Sequence, residues 1–189
     1  TNYSIGFDAD ATTLSIPSTF QLSVSINGGW NVISIPGLHP VDQNIDTWFP
    51  FRDQSAGVFK FSDSYQSVTT LTPGIGYWMK HNASRVYNTG DEWPASGIQI
   101  VAHNPIPAAA GWNLFGGYET TVATSGLTTT PSGLISGSVF QYSSGYTVAS
   151  SLVPGNGYWV RLSGSGSINI PNLLVKGIAK TEVNISDWG

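Results

Sequence analysis

Two tryptophans stand beside carboxylates and carboxamides in polar stretches of the sequence. Trp48 lies two residues after Asp46, and Trp93 closes the run Asn88-Thr89-Gly90-Asp91-Glu92-Trp93. An indole can stack on the apolar C–H face of a sugar ring, while neighbouring carboxylates and amides hydrogen-bond the sugar hydroxyls. The sequence therefore predicts a ligand-binding site for a polysaccharide or glycan, formed by Trp48, Trp93, Asp46, Asn88, Asp91 and Glu92.

Signatures of catalysis are missing from the same sequence. The neighbouring carboxylates Asp91 and Glu92 could in principle cleave a glycoside, but adjacent residues of a strand point to opposite faces and would not flank one bond. No Gly-x-Ser-x-Gly, dinucleotide-binding or phosphate-loop motif occurs. We therefore expect no enzymatic activity, no catalytic residue and no cofactor.

Metal binding has weak support in the sequence. Asp8-Ala9-Asp10 is similar to the start of a calcium loop, because alternating carboxylates can converge on a hard cation, but the remaining ligands of an EF-hand are absent. A structural calcium is one interpretation of these residues, and a solvated polar turn is the favoured one. His39, His81 and His103 are too widely spaced for a His-x-x-x-His site, and the chain has no cysteine. No metal site is assigned.

Composition and charge exclude several classes of partner. Only 10% of the 189 residues are charged and the net charge is −4, so seven Lys and Arg cannot neutralise a nucleic-acid backbone. No apolar run is long enough to cross a bilayer, and the first residues lack the basic start of a signal peptide. We expect neither nucleic acid nor membrane insertion. The chain is interpreted as a piece of a longer extracellular or cell-surface protein, with that protein's other modules as partners.

The sequence contains two copies of one repeat. Gly29-Trp30-Asn31-Val32-Ile33 returns as Gly111-Trp112-Asn113-Leu114-Phe115, and the ten residues from Leu71 to Lys80 return as Leu152 to Arg161. The displacement is 82 residues for the first block (Trp30 to Trp112) and 81 for the second (Trp78 to Trp159). Indoles that recur at equivalent places are expected to define the core of each copy. These matched residues are Trp30, Trp112, Trp78 and Trp159.

The local patterns predict an all-β chain. Residues 20–26 alternate strictly between apolar and polar, hairpin turns are expected at Asp63-Ser64 and Ser144-Gly145, and Pro-Gly turns precede each Tyr-Trp strand. Residues 84–94 are interpreted as a loop inserted into the first copy. The predicted architecture is two homologous repeats of about 80 residues with pseudo-two-fold symmetry, sandwich- or barrel-like. Its divisions are a lead-in (1–13), repeat 1 (14–100), repeat 2 (101–170) and a C-terminal strand or linker (171–189).

The combination of these motifs is itself distinctive. A Gly-Trp-Asn strand, a Phe/Tyr hairpin and a Pro-Gly-x-Gly-Tyr-Trp strand, twice in tandem over residues 14–170, resemble repeats of large secreted proteins of Bacteroidetes and Ignavibacteria-like bacteria. Such proteins are commonly multidomain and are often exported by a C-terminal-signal route. The resemblance implies an extracellular or cell-surface location and no defined activity, since these modules accompany hydrolases, proteases and adhesins.

Two functions remain open on the sequence alone. The leading hypothesis is a non-catalytic carbohydrate-binding module that holds a larger secreted protein on a polysaccharide. The alternative is a structural or adhesion spacer whose aromatic residues are all internal. Exposure of Trp48 and Trp93 separates them: if both are buried, the spacer is the expected function.

Overall fold

A computed structural model describes residues 18–172 of the chain, and these residues are almost entirely β. Helix among them is confined to α1 (Ile45–Trp48) and one 3-10 turn (Thr124–Gly126). The strands in chain order are β1 (Thr19–Phe20), β2 (Ser23–Ile26), β3 (Gly29–Ser34), β4 (Val58–Ser62), β5 (Ser64–Val68), β6 (Gly76–His81), β7 (Arg85–Asn88), β8 (Ile98–Gln99), β9 (Ile106–Ala108), β10 (Gly111–Gly116), β11 (Val122–Ala123), β12 (Thr128–Thr130), β13 (Phe140–Tyr142), β14 (Tyr146–Val148), β15 (Ser151–Leu152), β16 (Gly157–Leu162) and β17 (Gly166–Asn169).

Each copy of the repeat forms a four-stranded antiparallel sheet with the same strand order. The first sheet runs β3-β6-β4-β5 and the second runs β10-β16-β13-β14. The register also matches, because Phe59 lies opposite Trp78 in the first sheet and Phe140 lies opposite Trp159 in the second. The prediction of an all-β, sandwich-like fold is confirmed. The division of the chain into segments stays a prediction, and residues 1–17 and 173–189, which include Asp8 and Asp10, lie outside the described part.

The smaller strands correct one detail of the sequence interpretation. Residues 84–94 do not form a plain insertion, because Arg85–Asn88 is strand β7 and pairs with β2 over four residues. In the second copy β17 pairs with β9 in the corresponding way. Strand β17 begins 81 residues after β7 (Arg85 to Gly166), so the strand belongs to both copies. Strand β7 reads Arg-Val-Tyr-Asn and lacks the apolar-polar alternation that predicts a strand.

The Gly-Trp-Asn motif is explained by a turn that its asparagine closes. The main chain at Gly29 has φ +91°, a conformation that favours glycine. The Asn31 side chain donates to the carbonyl oxygens of Asn27 and Gly29 (2.8 and 3.0 Å) and accepts from the Asn27 N–H (3.0 Å). The second copy repeats the three bonds at Asn113 and the positive φ at Gly111. The motif therefore fixes the start of a strand.

The Pro-Gly-x-Gly-Tyr motif is explained in a similar way. Gly74 and Gly155 adopt positive φ (82° and 89°), as a tight turn after proline requires. The hydroxyl of Tyr77 accepts a hydrogen bond from the Thr72 N–H at 2.8 Å, which ties the strand back onto the residue before the turn. Tyr158 makes the equivalent bond in the second copy at 2.7 Å. Each tyrosine ring thus enters its own core while its hydroxyl stays satisfied.

The two sheets meet through contacts in which equivalent residues exchange roles. The Ser34 N–H donates to the Gly155 carbonyl oxygen, and the Gly116 N–H donates to the Gly74 carbonyl oxygen, both at 2.9 Å. The four positions correspond under the repeat displacement. A two-fold relation produces contacts of this kind. They are consistent with the pseudo-two-fold symmetry, which stays a prediction.

Three apolar clusters result, one within each copy and one between them. The cluster between the copies joins Val32, Leu114 and Trp159, with Trp78 packed against it. Strands β3, β6, β10 and β16 therefore bury both faces, one towards their own copy and one towards the other. The core of the first copy also contains Trp48 and Trp93, whose exposed fractions are 0% and 1%.

The core position of Trp93 predicts a large loss of stability on truncation. We expect Trp93→Ala to lower the free energy of unfolding by about 3–5 kcal/mol, because it opens a large cavity that the surrounding rings cannot refill. The measurement is equilibrium denaturant unfolding. Trp112→Ala is the matched control, since Trp112 is 45% exposed and its loss costs clearly less. Equal losses for the two variants would contradict the buried placement.

The contact between the sheets predicts a second effect. A Cβ atom added to Gly116 would lie 2.1 Å from the Cβ and Oγ of Ser34, so the sheets would have to separate. We expect Gly116→Ala to lower the stability by about 1–3 kcal/mol, the usual cost of overpacking. Gly145→Ala is the control, because nothing lies within 4 Å of its added Cβ. Thermal unfolding of both variants tests this, and unchanged stability of Gly116→Ala would be inconsistent with the close contact.

Candidate functional site

The structure brings Trp48 and Trp93 together, but in the interior. Their ring centroids are 5.4 Å apart and nearly perpendicular, at 71°. The Trp93 Nε1–H donates to the Trp48 carbonyl oxygen at 2.7 Å, and the Trp48 Nε1–H donates to Oε1 of Gln43 at 3.0 Å. Tyr87 stacks on Trp93 at 5.7 Å, with an interplanar angle of 23°. The expectation that these two indoles are free to stack on a sugar is wrong, because protein rings and hydrogen bonds already occupy them.

The predicted acidic partner of Trp48 is held in an ion pair. Asp46 Oδ1 accepts a hydrogen bond of 2.7 Å from the Arg52 guanidinium, and this bond lowers the pKa of the Asp46 carboxyl. Gln54 donates to the same oxygen at 3.2 Å. Asp46 lies on α1, where its N–H donates to the side chain of the N-cap residue Asn44. Its carboxylate stabilises the segment around α1, and Trp48, with which we paired it, is buried.

The remaining predicted residues close a turn after β7. One Oε atom of Glu92 accepts from Nε and Nη2 of Arg85 (3.0 and 2.7 Å), and the other accepts from the Asn88 N–H (3.2 Å). Burial opposes ionisation of Glu92, but the bonds from Asn88 and Arg85 outweigh it and lower its pKa. Asp91 accepts a long bond of 3.4 Å from the Asn88 side chain. These groups bond to one another around the buried Trp93.

The exposed indoles are the matched ones that the sequence assigned to the core. Trp30 is 41% exposed and Trp112 is 45% exposed, whereas Trp78 is half-buried and Trp159 is 7% exposed. The prediction of four core indoles is therefore wrong for two of them. Both exposed indoles begin a strand next to a glycine turn, so they lie at the end of the face on which the two sheets meet. That position on the strand is the signal that could have revealed them.

Two equivalent series of aromatic contacts cross between the copies. In the first, Trp30 contacts Trp78 (centroids 6.2 Å apart), Trp78 contacts Tyr142 (4.8 Å) and Tyr142 contacts Tyr146 (5.3 Å). Each series starts at the exposed indole of one copy and ends at an exposed tyrosine on the hairpin of the other. Because the rings meet edge to face, they have the geometry that aromatic pairs prefer.

The second series has the equivalent residues and nearly the same distances. Trp112 contacts Trp159 (6.4 Å), Trp159 contacts Phe61 (5.1 Å) and Phe61 contacts Tyr65 (5.3 Å). Phe61 takes the place of Tyr142, and Tyr65 takes the place of Tyr146. The hairpins β4-β5 and β13-β14 thus exchange their aromatic side chains across the interface.

Two open clefts lie along these series. Cleft A has a volume of about 450 Å³ and is lined by Phe61, Tyr65, Trp112, Phe140, Tyr146 and Trp159. Cleft B has a volume of about 370 Å³ and is lined by Trp30, Phe59, Tyr65, Trp78 and Tyr142. Every lining residue is aromatic. The clefts therefore offer flat apolar faces, with the hydroxyls of tyrosines as polar groups.

A cation lies beside each exposed indole. Lys80 is the cross-strand partner of Trp30, and Arg161 is the cross-strand partner of Trp112. Lys80 forms an ion pair of 3.0 Å with Asp53. Hydrogen bonds from Ser55 and Lys80 lower the pKa of Asp53 to about 2, so its carboxylate is ionised at neutral pH. The charge beside cleft B is thus neutralised, while among residues 18–172 the Arg161 side chain has no ion pair.

Within residues 18–172, the indole N–H groups of Trp78 and Trp159 have no hydrogen-bond partner. Each group lies at the same position of its copy and is surrounded by perpendicular aromatic rings. An N–H directed at a ring face forms only a weak hydrogen bond. In both copies the indole between the sheets thus has an N–H donor without a strong hydrogen bond.

The three histidines do not form a common site. His39 lies against Trp48, His81 Nε2 lies 2.9 Å from the hydroxyl of Tyr87, and His103 Nε2 lies 2.8 Å from Oε2 of Glu119. Within the described residues, no group of three or more His, Asp or Glu side chains is placed to hold a metal ion. No helix in that part of the chain is long and apolar enough to span a membrane.

Comparison with known proteins adds no relative to this geometry. The chain matches no protein-family model, no curated protein and no solved structure. The resemblance to repeats of large secreted proteins therefore stays a prediction from the sequence motifs. The function has to be argued from the clefts themselves.

Proposed function

We propose that the chain is a non-catalytic carbohydrate-binding module of a larger secreted or cell-surface protein, with its sugar site in clefts A and B. The observation that carries the proposal is the exposure of Trp30 and Trp112, at 41% and 45%, each lining one of two equivalent clefts. The partner is a polysaccharide or glycan. The site differs from the one predicted at Trp48 and Trp93.

The chemistry of the clefts suits the apolar face of a sugar. A pyranose ring presents C–H groups on its flat faces and hydroxyls at its edge, so an indole can cover a face without desolvating the hydroxyls. The planar rings are already packed against their neighbours, so they lose little conformational freedom on binding. The hydroxyls of Tyr65 and Tyr146 are the polar groups at the cleft surfaces, and both residues are 57% exposed.

The alternative is a structural or adhesion spacer without a small ligand. Two observations favour it: Trp48 and Trp93 are buried, and no carboxylate or amide side chain lines either cleft. Against it, both copies expose an indole at the same place, and each of these indoles lines a cleft. Exposed apolar surface arranged in a cleft is typical of binding sites. We therefore prefer the binding function.

Removal of the exposed indoles tests the proposal. We expect the wild-type chain to be retarded in affinity electrophoresis on at least one soluble polysaccharide, and Trp30→Ala/Trp112→Ala to lose that retardation. Each stacked indole contributes about 0.5–1.5 kcal/mol, so each single variant is expected to bind roughly 2- to 12-fold more weakly.

Phe51→Ala is the control for this experiment. Phe51 is 49% exposed and aromatic but lines neither cleft, so its removal leaves retardation unchanged. Circular dichroism checks that each variant is folded. Absence of retardation on every polysaccharide in the panel, insoluble ones included by pull-down, would establish the spacer instead. Retardation that survives in the double variant would place the site outside the clefts.

A further inference from the structure

Clefts A and B adjoin at one residue. The Tyr65 ring lines both clefts, whereas Trp30 lines only cleft B and Trp112 only cleft A. Tyr65 and Tyr146 lie together in cleft A, because both line it. The aromatic surface is therefore continuous from one exposed indole to the other, with the hairpin tyrosines between them.

We propose that clefts A and B form one continuous site for a single linear, uncharged polysaccharide chain, which is bound through its interior and not by an end. The inference rests on the proposed function and specifies its ligand. Its basis is the juxtaposition of two equivalent clefts that share the Tyr65 ring.

The duplication of the site argues for a ligand that repeats. Both clefts present a half-exposed indole, a deeper indole and a phenylalanine from one copy, together with a Phe or Tyr from the hairpin of the other. A chain terminus offers one distinctive group and would occupy one cleft. Two clefts of the same chemistry fit two identical units of one polymer. Joining two weak contacts on one ligand increases the overall affinity without any new contact.

The charges around the site argue for an uncharged polymer. None of the residues lining the clefts carries a charge at neutral pH. Asp53 neutralises Lys80 beside Trp30, whereas Arg161 beside Trp112 has no ion pair within residues 18–172. A polyanion carries a charge every one or two sugar units and needs matching cations along its path. The net charge of −4 also opposes polyanion binding.

Binding of oligosaccharides of increasing length tests this proposal. The probes are prepared from the polysaccharide that retards the wild-type chain, and calorimetry gives affinity and stoichiometry. We expect short oligomers to bind twice per chain and weakly. Oligomers long enough to span both clefts are expected to bind once per chain and at least about tenfold more tightly. Capping both ends of a long oligomer is expected to leave its affinity unchanged.

Variants at equivalent tyrosines sharpen the test. Tyr65 and Tyr146 occupy matching positions and have the same exposure, 57%, but Tyr65 lines both clefts and Tyr146 lines only cleft A. We expect Tyr65→Ala to weaken long oligomers more than Tyr146→Ala does. Trp30→Ala and Trp112→Ala are each expected to reduce the affinity for a long oligomer to that for a short one, with one short oligomer still bound.

Failure of this inference is distinct from failure of the proposed function. If the wild-type chain binds no glycan, the proposed function itself is wrong. If two long oligomers bind per chain, or if long oligomers bind no more tightly than short ones, the clefts are independent. If capping the ends weakens binding, the clefts are end-specific. In these cases only the inference fails. If a uronate polymer binds more tightly than the neutral one and Arg161→Gln removes that preference, the ligand is acidic and the assignment of an uncharged chain is overturned.

Discussion

The exchange of aromatic side chains between the two sheets is the constraint on which this fold depends. Each central strand places residues of one parity in its own core and residues of the other parity against the second copy. A single copy of about 80 residues cannot cover both faces of its sheet by itself, and the half-buried Trp78 and buried Trp159 would otherwise meet water. The two copies therefore stabilise one another, and neither inner face is complete alone.

The same interface creates the clefts. At one end small residues let the main chains approach, and Ser34 and Gly116 are bonded directly across to the other copy. At the other end indoles and phenols are too large for such an approach, and ring pairs with centroids 4.8 to 6.4 Å apart fill the space. The outermost rings, Trp30 and Trp112, are left about half covered. Each copy thus has one exposed indole, at the end of its strand opposite to Ser34 or Gly116.

The repeat pattern in the sequence predicted only part of the candidate site. Residues that recur in both copies marked the positions that shape the shared fold. Trp48 and Trp93 do not recur, because each packs in the core of the first copy alone. Both are buried all the same, because Trp48 lies on α1 and Trp93, after β7, packs against it and donates its indole N–H to the Trp48 carbonyl oxygen. The absence of these two indoles from the second copy therefore indicated that the two cores pack differently. It did not indicate that the indoles are exposed.

The sequence by itself determined the β class, the two copies, the hairpin turns and the glycines of the Gly-Trp-Asn and Pro-Gly motifs, because alternation, turn chemistry and positive φ are local properties. Only the tertiary structure decided which indoles reach the surface. A strand pattern shows that Trp30 and Ile33 point to opposite sides, but both sides of β3 are apolar and the sequence does not say where cover by the second copy ends. The covered part of β3 depends on how closely the two sheets pack. Ser34 and Gly116, which are far apart in the sequence, set that distance together.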